Sequence, residues 1–342
     1  MDPLTLSINT TRGEALHAVV RYTFWRERKL RVRGEFEGFA SLPEVAELLE
    51  RHLDPAIDPS LAIRAVYGGW FAQFVRIDPE WAGAIARRVF PADPALGSRF
   101  DAAWHTYINY TPAWTDVFRA IREAYARAID RLSPAAGEDS RDEAPQRLGD
   151  HLFTFRVLGL VELDDDLFAR YWHATSASVR RRVLENVGWS LEKTTGKLEP
   201  DVRERFGQTW EWIVGHAEQA DETAPLAGFA TWLSAPHLDG RWLLDQALTV
   251  LGLGVQLDPA FAVYEALPTL ATDSPRAATE VVRLMVMTDA EGWSISGSEA
   301  EVRSAVSTAL EADDPEARAH GRRVAELLLA RGFTSFRALL MA

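Results

Sequence analysis

A chain of 342 residues, 47% apolar and 25% charged, has the composition of a folded protein, and it is longer than one ordinary core, which stops growing near about 250 residues. The length predicts two domains or an elongated array. A net charge of −13 opposes non-specific attraction to nucleic acid or anionic membrane, and the absence of cysteine excludes disulfides, thiolate catalysis and cysteine-type zinc sites.

The N-terminus, Met1-Asp2-Pro3-Leu4-Thr5, has no basic start followed by an apolar segment, and no run of 18 apolar residues occurs. The expectation is a cytoplasmic chain without a membrane span. Thr11-Arg12-Gly13-Glu14 then reads as a capping box opening a first helix. Along that helix, residues 21–33 hold Arg21, Arg26, Arg28, Lys29, Arg31 and Arg33, interleaved with Tyr22, Phe24 and Trp25 and broken only by Glu27. Two readings stand for this cluster. It is an anion- or partner-binding edge, favoured by the planar fork of arginine, or it is the solvated end of a helix whose dipole favours cations. The stretch Glu35-Phe36-Glu37-Gly38-Phe39 is the nearest approach to apolar alternation, and no strand is predicted.

Farther along, Val45, Leu48 and Leu49 follow helical spacing, and Asp58-Pro59 and Asp78-Pro79 each predict a helix start. The aspartate would accept a bond from an unsatisfied backbone N–H, and proline at the first helical position presets φ. Trp70, Phe71, Phe74, Trp104 and Tyr107 read as core, with a small-molecule pocket between two halves as the alternative. Residues 133–147 crowd Pro134, Gly137, Glu138, Asp139, Ser140, Asp142, Glu143 and Pro145 together without an apolar face. They divide the chain into an N-terminal helical domain, 1–132, and C-terminal repeats, 148–342, unless they are a surface loop within one continuous array.

In the second half Val179, Val183, Leu184 and Val187, then Phe206, Trp210, Ile213 and Val214, and finally Val324, Leu327 and Leu328 keep the helical period. Asp258-Pro259, Ser274-Pro275 and Asp314-Pro315 punctuate it, and Ser298-Glu299-Ala300-Glu301 reads as a further capping box. Asp258 to Ser298 and Ser274 to Asp314 are both 40 residues apart, which is the period of a two-helix unit. The fold class expected is therefore all-α, with stacked antiparallel helix pairs in a HEAT-like α-solenoid.

Motifs for chemistry fail on inspection. Gly196-Lys197 ends like a phosphate loop, but Leu191 stands where its first glycine belongs, and Gly252-Leu253-Gly254 lacks the third glycine of a dinucleotide fingerprint. Gly292-Trp293-Ser294-Ile295-Ser296-Gly297 misplaces the closing glycine of a nucleophile elbow. No two of the histidines at 17, 52, 105, 151, 173, 216, 237 and 320 lie within four residues of each other. Asp164-Asp165-Asp166 reads as a helix start and not as a calcium loop. No catalytic motif, metal site or cofactor is expected.

The segment Asn9-Thr10-Thr11-Arg12-Gly13-Glu14-Ala15-Leu16 resembles the opening of the helical-repeat region in large bacterial antiphage defence NTPases, through Asn9, Thr10, Arg12, Gly13 and Ala15. The C-terminal stretch from Asp314-Pro315-Glu316-Ala317-Arg318 through Gly332-Phe333-Thr334-Ser335-Phe336-Arg337 is similar to the closing repeat of such arrays. The resemblance implies a sensor or scaffold module that recognises a protein, with the catalytic parts elsewhere. Three functions compete: a non-catalytic repeat binding a protein partner, which the absence of a site and the twelve tryptophans favour; a HEAT-like alkylpurine DNA glycosylase or other nucleic-acid-binding repeat, which the net charge disfavours; and the small-molecule pocket. The candidate binding residues are Arg12, Arg21, Trp25, Arg26, Arg28, Lys29, Arg31 and Arg33.

Overall fold

A computed structural model of the chain describes residues 3–132, 142–163, 166–289 and 294–341; they form helices and connections, with no strand among the described residues. They divide into two compact units, Met1–Phe155 with Leu160–Thr175, and Arg156–Gly159 with Ser176–Ala342. No helix among them is long and apolar enough to cross a membrane.

The first unit holds α1 (Pro3–Ile8), α2 (Thr11–Arg33), α3 (Pro43–Leu53), α4 (Leu61–Ile77), α5 (Pro79–Val89), α6 (Gly97–Tyr110), α7 (Thr115–Asp130), α8 (Ala144–Val157) and α9 (Asp166–Ala174). Its centre is α4, whose sequence is apolar around nearly the whole circumference, so that it needs cover on every side. α1, α2, α5, α6 and α7 all pack on it. The tightest approach is to α6, where a Cβ added at Gly68 would lie 1.9 Å from the Ala103 carbonyl oxygen.

Behind α4 the core is aromatic. Phe71, Phe90, Phe100, Trp104, Tyr107, Phe118 and Tyr125 form a chain of edge-on and stacked rings, which α8 extends through Phe155, stacked on Phe118 at 4.2 Å. Phe71, Phe74, Trp104 and Tyr107 are thus core, as the sequence reading favoured, and of that group only Trp70 is partly open. Polar atoms inside the stack are satisfied in one direction. Tyr107 donates to Tyr125 at 2.8 Å, Tyr125 donates to His151 Nδ1 at 2.7 Å, and His151 Nε2–H donates to the Thr111 carbonyl at 2.9 Å.

These contacts hold α8 as far as Phe155, and α9, within the first unit, whose bounds are Met1–Phe155 and Leu160–Thr175. Residues 133–141 lie outside the described residues, and α8 begins at Ala144. α8 shares the aromatic core of α7, and α9 is tied back by Tyr171, which donates to the Pro145 carbonyl at 2.8 Å, and by an Arg170–Asp130 ion pair. A polar stretch therefore interrupts the sequence inside the unit.

The second unit holds α10 (Ala177–Glu192), α11 (Pro200–Ala220), a 3-10 helix (Ala224–Ser234), α12 (Gly240–Gly252), α13 (Ala260–Asp273), α14 (Pro275–Thr288), α15 (Glu299–Glu311), α16 (Pro315–Ala330) and the short α17 (Arg337–Met341). From α12 onward, successive helices pack as antiparallel pairs and every second helix packs on its neighbour but one: α12 on α14 on α16, and α13 on α15. This two-layer stack is the solenoid pattern expected from the period of 40. The 3-10 helix sits between α10 and α13, held by Trp232 Nε1–H to the Leu184 carbonyl at 2.9 Å and Thr231 Oγ1–H to the Glu185 carbonyl at 3.1 Å.

The proline punctuation is borne out in part. Asp78 caps α5 by accepting from Trp81 N–H at 2.9 Å, and Asp314 caps α16 by accepting from Glu316 N–H at 2.9 Å. Ser274 starts α14 without a side-chain cap, and Ser298 is buried and makes none, so the second capping box does not form. Thr10, one residue before the expected box, caps α2. α4 begins at Leu61, after Ser60, because the Asp58 carboxylate is drawn into the interior by other partners. Asp258 precedes α13 but is paired with Arg181 instead of capping. Asp164 and Asp165, and Gly292 and Trp293 of the elbow-like stretch, lie outside the described residues.

Two outcomes follow. Replacing Gly68 by alanine forces α4 and α6 apart and is expected to cost about 2–3 kcal/mol in denaturant unfolding. Burial lowers the His151 pKa from the usual 6.5 to about 4, so folding opposes its protonation. Its contribution is intact above pH 6.5 and is lost as the pH falls toward 4, where about 3 kcal/mol is gone. Urea titrations at stepped pH should show this loss in the native chain and a smaller one in His151→Gln.

Candidate functional site

α2 buries one stripe, Leu16, Val20, Thr23, Glu27 and Leu30, and turns the opposite face outward. That outer face carries an unusual load for a solvated helix. Tyr22 and Trp25 are 43% and 53% exposed with rings 5.9 Å apart, and Val32 is 86% exposed. Arg21, Lys29 and Arg33 surround them, also exposed, and Arg21 lies 3.8 Å from Glu14. Aromatic side chains with flanking arginines are the composition of binding hot spots.

Arg12 stands apart from this face. Its guanidinium reaches Asp58 at 3.4 Å, and the same buried carboxylate meets His52 Nδ1 at 3.0 Å and accepts from Ser60 N–H at 3.1 Å. The neighbouring motif residues serve the joint between α1 and α2. Asn9 donates to the Thr5 carbonyl at 2.8 Å, Thr10 accepts from Gly13 N–H at 3.2 Å, and a Cβ at Gly13 would lie 1.8 Å from the Ser7 carbonyl oxygen. Within the 9–16 segment, Asn9, Thr10, Arg12, Gly13 and Leu16 thus each have a hydrogen-bonding, capping or packing duty.

The flank of α2 forms a groove with α4. Phe24 and Trp70 wall it with centroids 5.4 Å apart, and Arg28, Arg31, Glu27, Gln73 and Arg76 complete a cavity of about 520 Å3. Glu27 is the organising group. Buried on α2, it accepts two bonds from Arg76 at 2.8 Å each and one from Arg31 at 2.9 Å, and the Arg76 bonds above all hold its carboxyl below the usual range. Arg31 also stands over the Phe36 ring at 4.7 Å. Among the described residues Arg26, Arg28, Lys29 and Arg33 have no ion-pair partner, and the Nε of Arg26 is sealed from solvent without one. The groove is thus net positive in an acidic chain. A smaller cavity of about 290 Å3, lined by Gln73, Arg76, Trp114 and Asp116, adjoins it.

The structure thus brings Arg28 and Arg31 into the groove and leaves Arg21, Trp25, Lys29 and Arg33 on the adjoining outer face. Glu27, Gln73 and Arg76 were not singled out as site residues, and Trp70 was named only for the alternative pocket between two halves. The signal available was the spacing of Trp70, Gln73 and Arg76 at i, i+3 and i+6, which places three polar or amphipathic side chains on one face of an otherwise apolar helix.

The groove has a Ser–His pair nearby, and its proton arrangement decides its chemistry. Trp70 Nε1–H donates to His17 Nδ1 at 2.8 Å, and an indole can only donate. His17 therefore carries its proton on Nε2 and gives it to Ser7 Oγ, 3.1 Å away, while Ser7 donates to the Leu4 carbonyl at 2.7 Å. Burial lowers the His17 pKa further. A base must present a free nitrogen to the hydroxyl, so this pair cannot activate Ser7. No cluster of three or more potential metal ligands occurs among the described residues.

In the second unit a wider groove of about 800 Å3 runs along α12, α14 and α16, lined by both signs of charge. His320 sits there with Nε2 3.1 Å from Glu280, whose carboxylate is clamped by Arg283 at 2.6 and 2.7 Å. Arg180 pairs with Glu222 at 2.6 Å, and Arg181 with Glu185 at 2.7 Å and with Asp258, so these two arginines form no open basic surface.

A double-mutant cycle on Glu27→Gln and Arg76→Met should return a coupling of about 1–2 kcal/mol in unfolding free energy, since each partner alone leaves the other without its bidentate match. Comparison with known families, with curated proteins and with solved structures gives no match, so the chain's own residues carry the reading of the site.

Proposed function

We propose that this chain is a non-catalytic helical-repeat recognition module that docks an acidic segment of a protein partner on the outer face of α2 and in the α2–α4 groove. The observation that carries the reading is the groove itself: Phe24 and Trp70 supply apolar walls, while Arg28, Arg31 and Arg76 outnumber Glu27. Aromatic walls favour a side chain with an apolar body, and guanidinium forks favour carboxylates. Trp25, Tyr22 and Val32 extend the contact beyond the groove and supply area that a small ligand does not need. The resemblance of segments 9–16 and 314–337 to repeat regions of antiphage NTPases supports a place for the module as a sensor or scaffold component of a bacterial defence system.

The test uses fluorescein-labelled poly(Glu,Tyr) copolymer and fluorescence anisotropy on the full chain. Binding should weaken with added salt and fall at least about tenfold in the double variant Trp25→Ala/Arg28→Glu, both positions being open to solvent and free of folding duties. Binding that survives the double variant, or tighter binding to duplex DNA of equal charge, would sink the proposal and favour a nucleic-acid-binding repeat. Co-purification from native lysate provides the second reading. A stoichiometric partner should be recovered with the native chain and lost with the variant.

A further inference from the structure

Beside the α2–α4 groove lies the smaller recess of about 290 Å3, between the last turns of α4 and the first turn of α7, and Gln73 and Arg76 wall both spaces. A segment lying in the groove therefore reaches the recess without leaving the flank of α4. Ala72, Val75 and Val117 give it an apolar lining, the two valines being part of the core behind it. Trp114 also lines it while 57% of its side chain stays exposed.

Size limits what can fill this space. A cavity of about 150 Å3 takes a benzene ring, and pockets for drug-sized ligands begin near about 300 Å3. The recess thus suits one aromatic ring with its stem and is small for a larger ligand. An aromatic ring also gains most there, since the Trp114 indole offers a ring face and the valines exclude water.

The polar groups around the recess set the charge of the chain that carries the ring. Arg76 gives Glu27 one N–H from each Nη, so the remaining N–H groups of its guanidinium can meet a further carboxylate. α7 begins at Thr115 without a side-chain cap, which leaves its first backbone N–H groups and the positive end of its dipole at the recess. Asp116, in the same lining, is paired with Arg119 at 2.8 Å.

We infer that the recess is a specificity pocket for one aromatic side chain of the docked acidic segment, with carboxylates next to that side chain meeting Arg76 and the start of α7. The inference rests on the docking function proposed for the groove. It adds the one residue of the partner that the pocket selects, so that an acidic segment lacking an aromatic residue is a poor ligand.

Fluorescence anisotropy on the full chain tests this with two fluorescein-labelled peptides of equal charge, one with a central tryptophan between triglutamate arms and one with alanine in its place. The tryptophan peptide should bind the native chain at least about tenfold more tightly. Ala72→Leu fills the recess from a partly exposed position, and should cut that preference to below about twofold while the alanine peptide binds as before. Trp114→Ala removes the ring face without touching the groove and should narrow the preference as well. In Trp25→Ala/Arg28→Glu both peptides should weaken together. Equal binding of the two peptides to the native chain, or a preference retained in either pocket variant, would overturn the inference and leave the groove reading standing. Failure of both peptides to bind the native chain would overturn both.

Discussion

The first unit is governed by one constraint: α4 is oily on every side and must be enclosed. Five helices supply that enclosure, and the few polar side chains on α4 are left to find partners wherever the cover permits. Arg64 reaches back to the Asp58 carbonyl, and Trp70, Gln73 and Arg76 emerge together along the flank of α2. The candidate groove is a by-product of this arrangement. It exists because Glu27, pointing inward from α2, captures Arg76 and fixes the distance between the two helices.

The second unit solves the same burial problem differently. There a helix is covered by its pair and by the next helix in its own layer, and the pattern repeats, even for α13, which is as apolar as α4. One large aromatic cluster, with Trp210 4.3 Å from Phe229 and 5.5 Å from Trp232, fills the space where the 3-10 helix replaces an ordinary member of the stack. Tryptophan-rich cores of this kind account for part of the tryptophan content that sequence alone left open between core and interface. Among the described residues, Trp25 and Trp114 stand out, each more than half exposed.

Helical class, the lack of strands among the described residues and the layered repeat were legible because they depend on local spacing. Val179, Val183, Leu184 and Val187 are all buried, as their period demands, whereas Leu48 and Val214 at the margins of such stripes are only partly covered. The 40-residue register survived even where its markers did not act as caps, since Ser298 and Asp258 mark chain reversals whatever their side chains bond to. The α2 arginines were legible as a charge cluster. Their division into a groove pair and an outer set was not, because it depends on Arg76 and Trp70, which lie on a distant helix of the sequence. The neutral state of His17 was equally hidden: it follows from an indole donor on another helix.

The position of the polar stretch 133–141 has a consequence for the covalent chain. The helices before and after it, α7 and α8, are bound to one another by the stacked Phe118 and Phe155 rings and by the hydroxyl of Tyr125 on His151. Continuity of the backbone there adds little to what packing already secures. A protease nick or an inserted peptide at this place would divide the polypeptide without dividing the folded unit, and the two pieces would travel as one particle until denatured.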